Sequence, residues 1–179
     1  TSQTIADDIK DAAVWSVFFS LLVIFLYILI RFRKWQFSLG AVVAVFHDVL
    51  IVLSIFSIFY GILPFSLEID QAFIAAILTV IGYSLNDTVV VFDRIREFIE
   101  EHSTWEFDKI VNSALNSTLS RTLNTSFTTL VVLMSMFILG ADSLRGLLFA
   151  LIIGVLVGTY SSVFIATPIM RDTIGKSVK

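Results

Sequence analysis

Residues 72–92 read AFIAAILTVIGYSLNDTVVVF, an apolar run with a single acidic residue, Asp87. A helix needs about 20 such residues to cross the ~30 Å hydrocarbon core of a bilayer. Strands of a membrane barrel are about half that long, and backbone groups in lipid must bond within the protein. This stretch therefore predicts a transmembrane helix.

Four other stretches share this length and apolar character. Together, the five predicted spans are 13–30, 39–62, 72–92, 119–139 and 147–169. The 179-residue chain is 57% hydrophobic and 15% charged, whereas soluble domains have about 45–50% apolar and about 25% charged residues. A soluble core of this size could not bury so much apolar surface. The sequence therefore predicts an all-α membrane protein, a bundle of five transmembrane helices over residues 12–171.

Basic residues indicate the orientation of the bundle. Ten of the twelve lysines and arginines fall on the side reached after spans 1, 3 and 5. They are Arg31, Arg33, Lys34, Arg94, Arg96, Lys109, Arg121, Arg171, Lys176 and Lys179. Because positive residues concentrate in cytoplasmic segments, we expect the N-terminus outside the cell and the C-terminal tail, residues 172–179, in the cytoplasm.

The cytoplasmic segment between spans 3 and 4 carries a helix signal of its own. Ser103 and Glu106 have the spacing of a capping box, in which a serine and a glutamate three residues later cap a helix start. Apolar residues then recur at helical spacing. We predict a cytoplasmic helix over residues 104–116 that lies along the membrane interface, or alternatively docks a cytoplasmic partner.

Polar and charged residues inside the spans are the candidate functional residues. Asp48 lies near the middle of span 2, Asn86 and Asp87 lie in the inner half of span 3, and Arg121 lies just inside span 4. A charge at mid-bilayer costs about 2.5–3.5 kcal/mol on insertion scales, and such residues mark ion or proton paths. We therefore predict an ion pathway through these four residues. His47 points away from Asp48 on an ideal helix, so packing is the simpler interpretation for it.

Polar residues also recur at helical spacing along spans 3 and 4. The stripes consist of Thr79, Tyr83, Asp87 and Arg94 on span 3, and of Ser117, Arg121, Thr125 and Thr128 on span 4. Two antiparallel spans could bring Asp87 and Arg121 together as an ion pair, either direct or through water. Burial favours a neutral carboxyl and a nearby arginine favours a charged one, so the pair could relay protons. A static pair that fixes helix register remains the alternative.

Small residues follow every fourth position of span 5. They are Gly146, Ala150, Gly154, Gly158, Ser162 and Ala166. Small side chains in this register let another helix approach closely. They predict a helix-packing seam, either within the bundle or against a partner.

The sequence argues against several other kinds of chemistry. It has no cysteine, its net charge is −3, and it lacks a basic cluster of the kind that a nucleic-acid backbone needs, so neither a thiolate metal site nor nucleic-acid binding is expected. No phosphate-binding loop or pair of helical metal ligands is present. We expect no metal or organic cofactor and no enzymatic activity.

Three segments carry a resemblance to a known family. The run 81–97, IGYSLNDTVVVFDRIRE, is similar to the signature of the SecF branch of the SecD/SecF protein-export family. Residues 116–126 and the Phe46-His47-Asp48 element also match it. The resemblance covers nearly the whole chain from about Ala12 to Arg171.

This resemblance implies a subunit that assists the SecYEG channel in moving preproteins across the bacterial inner membrane. It implies a SecD-type partner, a proton or sodium gradient as the energy source, and roles in ion flow for Asp87 and Arg121. Members have six membrane helices and a large periplasmic domain after the first. We therefore expect residues 1–11 to be the end of that domain and the chain to be part of a longer protein.

Other functions remain open at this point. They are another transporter of the resistance-nodulation-division superfamily, a non-conducting assembly module, and an intramembrane aspartyl protease that uses Asp48 and Asp87. The protease is disfavoured because Ser84-Leu85-Asn86, not Gly-x-Gly, precedes Asp87 and because Asp48 lies deeper.

Overall fold

The computed structural model describes residues 2–177, except for the side chains of residues 2–10, 13 and 175–177. The helices are α1 (Ser2–Phe32), α2 (Trp35–Phe59), α3 (Gln71–Glu101), α4 (Phe107–Leu139), α5 (Arg145–Ser161) and α6 (Thr167–Ser177). A π-helical turn, Ser162–Ala166, joins α5 to α6, and a 3₁₀ turn, Asp142–Leu144, precedes α5. Five helical segments are long and apolar enough to cross a membrane. The predicted fold class is confirmed, and the last two residues of the predicted tail lie outside the described residues.

Helix α3 lies at the centre of the bundle. It packs most extensively on α5 and also contacts α2 and α4. Helix α1 packs mainly on α2, while α4 packs on α3 and α5. Few residues of α1 or of the apolar part of α4 are buried. These two helices therefore form the periphery of the bundle and leave wide faces for lipid or for another membrane chain.

The segment predicted as a separate cytoplasmic helix is the beginning of α4. The helix starts at Phe107, and Glu106, the residue before it, makes no side-chain capping bond. The expected capping box does not form, because the turn before α4 is shaped by aromatic packing. The His102 ring lies 4.0 Å from the Trp105 ring and 5.3 Å from the Phe98 ring, measured between centroids. The roughly three helical turns from Phe107 to span 4 are continuous with it, so no independent interfacial helix exists there.

The wide turn between α5 and α6 has a local cause. Pro168 has no backbone N–H and cannot continue the regular bonding ladder of an α-helix. The π-helical turn Ser162–Ala166 ends two residues before Pro168, and the Thr167 hydroxyl donates to the Ser162 carbonyl at 2.9 Å. Such single-turn π-bulges often mark functional sites in helices. This one places Ser161, the last residue of α5, at its edge.

Candidate intramembrane polar site

Asp48 is the centre of a buried polar cluster that joins three helices. Its side chain, on α2, is fully buried. Its Oδ2 atom accepts hydrogen bonds from Ser84 Oγ of α3 at 2.5 Å and from Ser161 Oγ of α5 at 2.7 Å. His47 Nδ1 lies 3.1 Å from Oδ1. Buried carboxyls require such partners, and here the partners tie α2, α3 and α5 together at one point.

The small-residue seam of α5 makes this cluster possible. A Cβ atom on Gly158 would lie 2.9 Å from Ser84 Cβ, and one on Gly154 would lie 2.7 Å from Val80 Cγ1 and closer still to Cγ2. The absence of these Cβ atoms lets α5 approach α3 closely enough for Ser161 to reach Asp48. The structure thus places the Gly154 and Gly158 part of the seam inside the bundle, against α3.

The other seam residues contact different neighbours. A Cβ atom on Gly146 would lie 2.7 Å from the Ser66 carbonyl oxygen of the α2–α3 connection. Ala150 and Ser162 are fully buried. Gly40 of α2 completes the arrangement, because a Cβ there would lie 2.5 Å from the Ala166 carbonyl oxygen. Close packing of α5 and of the π-helical turn after it therefore depends on glycines of two helices.

His47 has a polar role that the sequence did not predict. Neighbouring residues on a helix point about 100° apart, but the imidazole turns back and reaches the Asp48 carboxyl. One third of the His47 side chain is exposed, whereas that of Asp48 is not exposed at all. His47 therefore connects the buried carboxyl to the surface of the chain.

Asp87 is buried differently. Only 4% of its surface is exposed, and its Oδ2 atom makes no hydrogen bond with a described residue. It lies on α3 three residues after Ser84, about one helical turn from the Asp48 cluster. The bundle thus contains two buried carboxyls. Asp48 is bonded by several side chains, whereas Asp87 has an oxygen without a partner among the described residues.

Arg121 makes no direct ion pair with Asp87 in the described part of the chain, although its charge still acts on the Asp87 carboxyl. No ion-pair distance of 4.0 Å or less joins them, and Arg121 is exposed. The buried face of α4 is formed instead by Ala114, Thr118, Thr122 and Ser126. The face facing α3 is therefore shifted by one residue, about 100° of rotation, from the predicted face. The shift turns Arg121 towards the outside of the chain.

The predicted stripe on α3 is also divided. Tyr83 is half-buried and its hydroxyl lies 3.4 Å from Ser126 Oγ, which lies 2.5 Å from Thr159 Oγ1 of α5. Thr79 and Asn86 are exposed.

Of the four predicted pathway residues, Asp48 and Asp87 are buried on either side of Ser84, whereas Asn86 and Arg121 lie on the outer surface. A role in ion flow remains a prediction for all four.

The exposed side of α4 is unusually polar for a membrane span. Its exposed polar residues include Asn116, Ser117, Ser120, Arg121, Asn124, Thr125 and Thr128. The threonine hydroxyls bond to carbonyls within the helix, but the arginine and asparagine side chains are costly to expose to lipid. We call this surface, together with Asn86 and Gly82 of α3, the polar face.

Comparison with known proteins identifies the family. Residues 1–176 match the model of the family described as protein export membrane protein SecD/SecF, C-terminal. The chain belongs to this family. The translocase subunit SecF of Rhodothermus marinus is 61% identical over 167 residues, covering 93% of this chain and 54% of that protein. SecF of Petrotoga mobilis is 43% identical, covering 97% of this chain and 55% of that protein.

Two SecDF proteins extend the comparison. SecDF of Brucella abortus is 41% identical over an aligned region that covers 93% of this chain and 21% of that protein. A crystal structure of SecDF in a super-membrane-facing form superposes with a TM-score of 0.78 and 38% identity, covering 88% of this chain and 21% of that chain. The chain spans about half the length of the SecF relatives it matches. With five helical segments able to cross a membrane, it is a multi-pass inner-membrane protein of the SecD/SecF family.

Sequence reasoning identified Asp48 but missed its partners Ser84 and Ser161. Both serines lie in apolar helices, and the sequence separation from Asp48 is 36 residues for Ser84 and 113 for Ser161. The sequence placed Ser161 close to Gly158 of the seam, but which residue lies opposite the seam is visible only in the tertiary structure. Ser84 faces Gly158 across the seam, and Ser161 follows it by three residues.

Proposed function

We propose that this chain is the membrane-embedded part of a motor subunit that uses an ion gradient to assist SecYEG in preprotein export. The support is its membership of the SecD/SecF family and the similarity to SecF translocase subunits over more than 90% of the chain. The observation that carries the proposal further is Asp87, a carboxyl buried in the central helix with one oxygen that no described residue satisfies. Buried ionisable groups in membrane helices are functional-site candidates.

In this mechanism Asp87 binds and releases the coupling ion, a proton or a sodium ion. Its neighbour Ser84 is tied to Asp48, and Asp48 is tied to Ser161. These bonds hold α3 against α2 and α5, so α3 is the fixed element of the cycle. Helix α4 is the peripheral element, and a rotation of about one residue would bring Arg121 to the α3-facing side. Arg121 would then approach Asp87 in one state of the cycle and leave it in the other.

A SecD-type subunit would pack on the polar face of α3 and α4. The similarity to SecDF proteins, in which both names occur in one chain, supports such a partner. The partner would remove Arg121, Asn86 and Asn124 from lipid, where the exposed polar groups are costly. It would also respond when Arg121 moves. With the positive-inside rule, we place the N-terminus outside and the C-terminus in the cytoplasm of a bacterial cell.

The test is gradient-dependent preprotein export by inverted membrane vesicles that contain the full-length subunit with its SecD-type partner. Asp87→Asn should abolish the response to the ion gradient while the two subunits still co-purify. Asp87→Glu, which keeps a titratable group, should retain part of it. Asp142→Asn is the matched control, because Asp142 is an exposed carboxylate in an outer turn, paired with Arg145 at 2.9 Å. Full gradient response in Asp87→Asn would refute ion coupling at this position.

The second candidate is a non-conducting assembly module. The saturated Asp48 cluster favours it, because a carboxyl bonded by two serines and a histidine can serve solely to fix helix positions. This function predicts that Asp87→Asn keeps full export, whereas substitutions on the polar face prevent co-purification with the partner. The aspartyl protease receives no support: the Asp48 oxygens are occupied, and no hydrogen bond joins the two carboxyls within the described residues.

A further inference from the structure

A basic cleft lies at the membrane surface where α1 turns into α2. It has a volume of about 770 Å³ and is also bordered by the end of α3. Its rim carries Arg31, Arg33, Lys34 and Arg96. Sites for small ligands are typically clefts of about 300–1,000 Å³ with an apolar lining and a few placed polar groups. The cleft has this size and composition. It lies at the end of α3 that is about 40 Å along the helix from the outer turns, and it is well separated from the Asp48 cluster.

The floor of the cleft is a fixed part of the core. Phe32 stacks on Phe37 with 5.1 Å between ring centroids. Both rings meet Phe92 edge to face, at 6.0 Å and 5.0 Å. All three side chains are buried. Because the floor is interlocked aromatic packing, the cleft is formed before any ligand arrives.

The rim has more positive charge than the protein itself neutralises. Arg31 and Arg96 share the Asp93 carboxylate, at 3.0 Å and 3.8 Å, and Arg96 also lies 3.9 Å from Glu100. Arg33 and Lys34 are exposed and make no ion pair with any residue whose side chain the structure describes. Two acids thus face four cations.

The backbone at this corner presents the two unpaired cations in an unusual way. Arg33 has a φ of +55°, the left-handed conformation, and no other non-glycine among the described residues has a positive φ. Glycine or asparagine adopts it at lower cost, and strained residues of this kind cluster at ligand sites. Trp35, two residues later, is half exposed, which is typical of the bilayer interface. The strained corner therefore holds Arg33 and Lys34 at headgroup depth.

We propose that this cleft binds the phosphate headgroup of an anionic phospholipid. Arg33 and Lys34 donate to the phosphate oxygens, since basic pockets between membrane helices recognise such headgroups. The acyl chains lie along an exposed apolar strip of α1 that runs from the cleft into the membrane and contains Val23, Tyr27 and Ile30, which are 63%, 51% and 77% exposed. This strip is what distinguishes a lipid from a free phosphate ion.

The test measures lipid binding to the full-length subunit with its SecD-type partner in detergent micelles. Spin-labelled phosphatidylglycerol is titrated, with spin-labelled phosphatidylcholine as the neutral probe, against the double variant R33Q/K34Q. Each basic group at an anionic surface adds roughly fivefold to binding, so this variant should bind phosphatidylglycerol about 25-fold more weakly. The matched control is K109Q/R171Q, which removes two exposed cations from the same membrane side that are already engaged by Trp105 and Asp108. The control should stay within about twofold of the parent protein.

Four outcomes would overturn the proposal. Unchanged phosphatidylglycerol binding in R33Q/K34Q would show that the cleft is not the site. An equal loss in both double variants would show a diffuse electrostatic attraction. Equal binding of the two lipids to the parent protein would remove the role of the phosphate charge. Displacement of phosphatidylglycerol by millimolar inorganic phosphate would assign the cleft to a soluble anion. None of these results depends on export activity, so they are independent of the ion-coupling proposal.

Discussion

Substitution of Gly154 by alanine tests the contact on which the buried site depends. The added Cβ atom would lie 2.7 Å from Val80 Cγ1 and 2.9 Å from Val80 Cβ, with Cγ2 closer still. No rotation of the valine side chain removes all of these contacts, because one of them is to its Cβ atom. The helices must therefore separate, and Ser161 would move away from Asp48.

The expected magnitude follows from two opposing effects. Overpacking of a close-packed interface costs about 1–3 kcal/mol, and the short distances to three Val80 atoms favour the upper end. Alanine recovers about 1 kcal/mol of helix propensity over glycine. We therefore expect G154A to lower the free energy of unfolding by about 2 kcal/mol. Gly82 supplies the control, since a Cβ there would meet nothing within 4 Å, and G82A should be neutral or slightly stabilising.

The assay is reversible unfolding of the full-length subunit in mixed micelles, monitored by circular dichroism during denaturant titration. The compensating variant V80A/G154A removes both Val80 methyl groups that obstruct the new Cβ atom. Because the contact with the Val80 Cβ atom at 2.9 Å remains, G154A should cost only part as much in the V80A background as in the parent protein, with a coupling energy of about 1 kcal/mol in a double-mutant cycle. If G154A is as stable as G82A, or if V80A and G154A are simply additive, the close approach of α5 to α3 is not what holds the site.

Two further predictions concern the polar residues themselves. Ser84→Ala and Ser161→Ala each remove a hydrogen bond to the buried Asp48 carboxyl. Each should therefore lower the free energy of unfolding by about 1.5–3 kcal/mol. The double variant should lose less than the sum in the same titration, and full additivity would mean that the two serines do not share one acceptor. Arg121→Gln should leave unfolding stability within about 0.5 kcal/mol, because the side chain is exposed and makes no ion pair with Asp87. It should nevertheless lower gradient-dependent export in the vesicle assay, and unchanged export would separate Arg121 from the coupling mechanism.

Local properties of the sequence determined the number and positions of the membrane helices. Length and apolar content are sums over neighbouring residues, and lipid requires every backbone group to be bonded within its own helix. The same property located Asp48 and Asp87 at membrane depth. The every-fourth-residue pattern on span 5 indicated close helix packing before any partner helix was known, because the size of a side chain limits helix approach whatever the neighbour is.

Only the tertiary structure decided which polar groups meet. Helix α4 carries polar residues on two adjoining faces, so its periodicity fits both Ser117-Arg121-Thr125 and Thr118-Thr122-Ser126. The packing against α3 and α5 selects the second face, because its shorter side chains fit the interface and the arginine does not need to be buried. The contacts of Asp48 with Ser84 and Ser161 were equally out of reach, since they join distant segments. Such contacts depend on the rotation and separation of three helices, which packing of the whole bundle sets and no single helix encodes.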